Sequence, residues 1–225
     1  MNATQPRTAP RLIAIAAALT ALHAPSWALD YVWQGGTGSW ADSSKWSLLG
    51  VPGAGDSATL NSSNAVVTLS DTRSLGGLIL SKGYLGGSGQ LNTGSASFAN
   101  AVLGLSGTSG GVLNISGNTL FNGSTGQHLR HAQTVNLNGN STWSAGNGRI
   151  EVDAGFAGNN ATNPYAASQF NIAVGTTFTD AGAAAAAGSK QIGYSGGQVN
   201  NAGTYVRNGL GTTVALGLNN MGLLK

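Results

Sequence analysis

The chain has no cysteine, so neither a disulfide framework nor a thiolate metal set can organise it; stability has to come from packing and backbone ladders. Charge is nearly as scarce, at 8% of residues against about a quarter in typical domains. The formal excess of +3 is mostly local, because Arg7 and Arg11 lie in an N-terminal leader and their removal leaves 8 bases against 7 acids. Such a balance gives no basic footprint for nucleic acid and no polybasic cluster for an anionic membrane. Long apolar runs are absent beyond Leu12 to Ala24, which is well short of the ~20 residues that span a bilayer. Helix is also nearly missing: the one candidate, Ala183 to Ala187, is bounded by Gly182 and Gly188, and five alanines are too few to nucleate a helix in water.

What is present begins with that leader. Arg7 and Arg11 without an acid, the apolar run, and the small residues of Ser26-Trp27-Ala28 have the form of a secretory signal peptide, with cleavage expected after Ala28. Glycine reaches 36 residues, yet 41% of the chain is hydrophobic and the mature net charge is near zero, which is not the composition of a disordered chain.

Four segments share one pattern: "LNTGSASF" from Leu91, "LNISGNTLF" from Leu113, "VNLNGNSTW" from Val135 and "FNIAVGTTF" from Phe170. Each reads apolar, Asn, short strand, usually Gly, polar pair, aromatic. The first three start 22 residues apart, and the fourth follows after 35, with "GNNATNPYAAS" from Gly158 as a loop insertion. "VNNAGTYV" from Val199 and "LNNMGLLK" from Leu218 are later copies. A translational period of this length is the signature of a solenoid. Alternation within the copies is of strand type, as in "RIEVD", where Ile150 and Val152 face one way and Arg149, Glu151 and Asp153 the other.

Asn138-Gly139, Asn147-Gly148 and Asn208-Gly209 are hairpin signals. The pattern recurs in one direction rather than mirrored about them, so each is expected to turn a coil corner with φ > 0 supplied by Asn or Gly. The expected fold is therefore all-β, a parallel (right-handed) β-helix solenoid with an N-terminal cap: residues 1–28 signal peptide, 29–60 Trp-rich cap, 61–225 repeats. Those repeats provide roughly seven coils and a rod on the order of 35 Å at ~4.8 Å per strand. Leu113, Ile115, Val135, Leu137, Phe170 and Ile172 are expected to fill the interior. Asn92, Asn114, Asn136, Asn171, Asn200 and Asn219 fall at equivalent positions. They either hydrogen-bond along the axis or merely face solvent beside an inward apolar residue.

The segment from Trp33 to Leu60, with Trp33, Gly35, Gly36, Gly38, Trp40, Trp46, Gly50, Pro52, Gly53, Gly55, Asp56 and Ala58, resembles the opening of the mature part of bacterial surface proteins with autotransporter-type or autotransporter-associated β-strand repeats. The stretch from Asn200 to Lys225 resembles their repeat units. The resemblance implies an exported, displayed β-helical passenger, commonly an adhesin-like rod. It also implies a C-terminal translocator barrel, which would have to lie on a further part of the protein, since Lys225 falls inside a repeat; a short secreted form with another exit route is the alternative.

Motifs for chemistry are thin. Glu151 and Asp153, two apart on a strand, would lie roughly 6.5–7 Å apart, compatible with acid/base work on a sugar, but no further acid recurs on neighbouring coils and an ordinary solvated strand face of alternating charge is the expected reading. His128 and His131, three apart, point to opposite faces of a strand, with no nearby acid to complete a metal set. "GVPGAGDSATL" from Gly50 lacks the lysine of a phosphate loop and reads as a turn-rich lead into a strand. No catalytic residue, cofactor or metal ligand is assigned.

Three tryptophans, Trp33, Trp40 and Trp46, stand within fourteen residues. They are candidates for glycan stacking or for capping the open end of the coils, with Trp33 and Trp46 over the core and Trp40 partly exposed. The expected role is a secreted or cell-surface structural, adhesin-like passenger, outer-membrane associated, binding host or matrix glycan or protein. The alternatives are a glycan-binding module using Trp33, Trp40, Trp46, Tyr165 or Tyr194, or a polysaccharide-degrading enzyme.

Overall fold

The computed structural model describes residues 28–105, 110–124, 126–145, 148–153, 167–183, 190–194 and 196–225. The leader (except Ala28), Tyr165, Asn147 and Ala184 to Ala187 lie outside the described residues.

Period-two alternation decides the local structure. In Thr134–Leu137 the inward Val135 and Leu137 are buried while Thr134 and Asn136 are half-exposed, and the same pattern repeats in Val112–Ile115 and Gln169–Ile172. No single strand can bury such a face alone, so the strands stack in parallel, each on its counterpart one repeat away. The result is an all-β parallel β-helix with three faces.

A ladder face stacks residues 72–75, 90–93, 112–115, 134–137, 169–172, 198–201 and 218–220. An aromatic face stacks 57–60, 77–80, 95–98, 119–121, 141–143, 177–180, 204–207 and 223–224. Thr72–Leu80 and Gln90–Phe98 run through both, which makes these faces one 14-stranded sheet. The third, 8-stranded face runs from 37–39 through 66–68, 84–86, 102–103, 126–129, 148–152 and 190–192 to 213–215. Among the described residues, seven strands per face follow residue 61, the number the repeat length predicts.

All six expected interior residues are buried, none more than 5% exposed. The interior columns trade bulk: on the aromatic face Phe98, Phe121 and Trp143 stand in register, with the small Ala96, Thr119 and Ser141 two positions before them. Phe121 stacks on Phe98 with ring centres 5.2 Å apart.

The asparagines hydrogen-bond along the axis. Asn114 Nδ2 donates to Asn92 Oδ1 at 2.8 Å, Asn136 to Asn114 at 2.7 Å, Asn171 to Asn136 at 2.7 Å, Asn200 to Asn171 at 2.8 Å and Asn219 to Asn200 at 3.4 Å. Every amide points its nitrogen toward the N-terminal neighbour, so the ladder has one polarity along the rod.

Two sequence expectations fail at the corners. Gly148 has the expected positive φ, at 131°, but neither Asn138-Gly139 nor Asn208-Gly209 does. Glycine is required at 139 for a different reason: a Cβ there would lie 2.2 Å from the Gly117 carbonyl oxygen, and one on Gly117 would lie 2.3 Å from that of Gly94. Successive corners touch backbone to backbone, and only the missing side chain lets them close. The second failure concerns the fourth repeat. Val135 pairs with Phe170, but Ser141, not Trp143, pairs with Phe178. The corner before Phe178 is two residues longer than its predecessor, so Asp180 takes the place below Trp143 that the aromatic of the pattern should hold.

Candidate functional site

Residues 29–60 do not form a separate plug: Asp30–Val32 and Thr37–Ser39 continue the parallel stack on the aromatic and third faces. The three tryptophans complete the interior at this end. Trp33 is 2% exposed, and Trp40 and Trp46 are 0%. Trp46 is the hub, edge-on to Trp33 at 5.0 Å, to Trp40 at 4.9 Å and to Tyr31 at 6.4 Å, with its indole N–H donating to the Trp40 carbonyl at 2.9 Å. The expected exposure of Trp40 is therefore incorrect: flanking Gly, Ser and Asp do not expose it, because Asp42 caps a short 3-10 turn at Ser43–Lys45 that carries Trp46 back against it. Rings without an exposed face cannot stack on a sugar. The stretch from Gly50 leads into Ser57–Leu60, as its turn residues suggest, with Asp56 Oδ2 accepting from the Gly53 amide at 2.8 Å. Of the tyrosines considered for stacking, Tyr194 is 38% exposed.

The outward side of the third face gathers more. Val66, Tyr84, Val102, His128 and Glu151 stand in one register column across five coils. Beside them, Gly104 has φ 114 and would drive a Cβ to 2.0 Å from the Arg130 carbonyl oxygen. Along this side runs a groove of about 440 Å³ lined by Val66, Thr68, Tyr84, Val102, Leu105 and Arg130, among others. Tyr84 offers the exposed aromatic surface, at 41%.

At one end of the groove is a charged cluster. His128 Nδ1 lies 2.5 Å from Glu151 Oε2, Arg149 lies 3.4 Å from the other Glu151 oxygen, and Arg130 Nε lies 3.3 Å from Asp153. Here the sequence expectations of a solvated acid face and of histidines without a nearby acid are both incorrect. Glu151 and Asp153 are buried, and the acid that His128 lacks in its own segment comes from the next coil, directly opposite in register. Each carboxylate is held by bases rather than facing a partner acid. His131, buried just past the strand at φ 58, has its pKa lowered chiefly by desolvation; Asp153 opposes the shift and Arg130 adds to it.

A second charged cluster lies inside the coils. Asp180 contacts Lys190, and Arg207 Nη1 donates to the same carboxylate at 3.1 Å. Sequence reading passed over these residues, although alternation carries the signal: with Phe178 and Ile192 inward, Asp180 and Lys190 two positions away must point inward too.

No family model, no curated protein and no solved structure matches this chain.

Proposed function

We propose that the chain is a secreted or surface-displayed structural passenger, adhesin-like and non-catalytic, which holds an interaction surface away from its point of attachment. The observation that carries this reading is the stack of parallel coils among the described residues, stiffened by a one-directional asparagine ladder and presenting an open outer face. The form of residues 1–28 and the resemblance of Trp33 to Leu60 to autotransporter-type repeats support export and display. A translocator barrel on a further part of the protein and a host or matrix surface molecule are the partners this role calls for. Against the enzyme reading, Glu151 and Asp153 are spent on His128, Arg130 and Arg149, whereas a sugar-cleaving pair needs two carboxyls facing one cleft.

Expression in a bacterial host with an outer membrane, followed by protease treatment of intact cells and assay of the medium, tests the reading. Mature chain is expected in the medium or cleaved at the surface. Retention inside the cell with residues 1–28 still attached would overturn it.

Glycan binding is the second reading, favoured by one observation: the groove that places Tyr84 beside Val66 and Val102. Binding on a glycan array that disappears in Tyr84→Ala, with the circular dichroism kept, is its expected result.

A further inference from the structure

Among the described residues, charge enters the coil interior at one place. The inward column of the aromatic face runs Leu60, Leu80, Phe98, Phe121, Trp143 and then Asp180. Lys190 reaches the same point from the third face. Both side chains are 0% exposed, and Lys190 Nζ touches Asp180 Oδ1 directly. The Nζ also lies 4.0 Å from the centre of the Trp143 ring. Around the carboxyl, Tyr205 donates its hydroxyl to Oδ2 at 3.0 Å, Thr213 donates to Oδ2 at 2.5 Å, and Arg207 donates to Oδ1 at 3.1 Å.

We propose that Lys190 and Asp180 condense into an intramolecular isopeptide bond, a covalent brace between the aromatic and third faces of a rod that has no cysteine. The reactants are already in contact and cannot diffuse apart, which removes the entropic part of the barrier. Taking both charges out of water is expensive, and condensation eliminates both. Desolvation is also the main reason the Lys190 pKa is lowered, although Asp180 opposes the shift; this favours the neutral amine that acts as nucleophile. The Tyr205 phenol is pushed above its ordinary value by burial and by Asp180, so it remains a donor.

The step balances without an added reagent. The amine nitrogen of Lys190 bonds to Cγ of Asp180, and negative charge develops on Oδ2, where Tyr205 and Thr213 already donate. The Cγ–Oδ1 bond then breaks. Of the three protons on the paired ammonium, two leave with Oδ1 as water and one stays on the new amide. Oδ2 becomes the amide carbonyl oxygen and keeps its two donors.

Tryptic mass mapping of the full chain, purified folded and then denatured, decides the matter. No Lys or Arg lies between Arg149 and Lys190, and the next after Lys190 is Arg207. An amide on Lys190 blocks cleavage there, so the expected product is one peptide from Ile150 to Arg207 whose mass is lower by one water. Two peptides of full mass, 150–190 and 191–207, from protein with β-sheet circular dichroism would overturn the proposal. Lys190→Arg should restore both the water and the cleavage after position 190. Water loss that persists in Lys190→Arg belongs to other chemistry, such as cyclisation of an aspartate, and would equally overturn it.

Discussion

Replacing Asn136 tests whether the asparagine ladder holds the rod or only decorates it. Asn136 donates to Asn114 and accepts from Asn171, both at 2.7 Å, from a half-buried position. Asn136→Ala removes two hydrogen bonds, each contributing about 1 kcal/mol net, while water can reach part of what is left; the loss is about 2 kcal/mol. For a chain of this size that is about 4–8 °C in melting temperature. Polarity makes the prediction sharper. Asn136→Asp still accepts from Asn171 but turns a second oxygen toward Asn114 Oδ1, and it places a charge where half the surroundings are protein. It should melt at or below Asn136→Ala. Asn219→Asp, at the exposed end and on the 3.4 Å bond, should stay within a degree or two of the parent. Circular dichroism melts at fixed concentration read all three. A parent-like melt for Asn136→Ala, or an Asp variant more stable than the Ala variant, would refute the ladder as a stabilising element.

Other outcomes follow from the packing. Leu137→Asp buries a charge without a partner at a 0% exposed position and should unfold the adjoining coils at a cost of several kcal/mol, seen as a lost or early transition in urea. Trp46→Ala removes the hub of the tryptophan cluster and should cost about 3–5 kcal/mol, with a red-shifted fluorescence spectrum and increased light scattering as the N-terminal end opens. His131 resists protonation in the folded chain, so below the ordinary imidazole value of about 6.5 the unfolded chain binds a proton that the folded chain refuses. Its contribution is present above that pH and is lost as pH falls through the depressed folded value. His131→Asn, which tolerates the positive φ, should flatten the fall in urea midpoint between pH 7.5 and 5.

The repeat and the inward register were legible because both are periodic: apolar-Asn pairs 22 apart and alternation within each strand leave little choice of fold. What the sequence hid was non-periodic. A corner two residues longer moved Phe178 off the aromatic column, and no local signal marks the extra length. Contacts between coils were equally hidden, since Glu151 meets His128 only once the register of the third face, which the apolar-Asn pattern does not mark, is known. For the tryptophans, local composition misled: glycine and serine neighbours suggest exposure, whereas a single capped turn folds Trp40 under Trp46.

The first four asparagine bonds keep within 2.7–2.8 Å while the intervals they span run 22, 22, 35 and 29 residues. The stack does not register how much chain lies between one rung and the next. Evolution or an engineer can therefore lengthen the stretch between Val152 and Gln169, graft an epitope into it or trim it, and the neighbouring rungs would not need to be re-spaced. Such a molecule can revise the length of chain between its rungs without renegotiating how it stands.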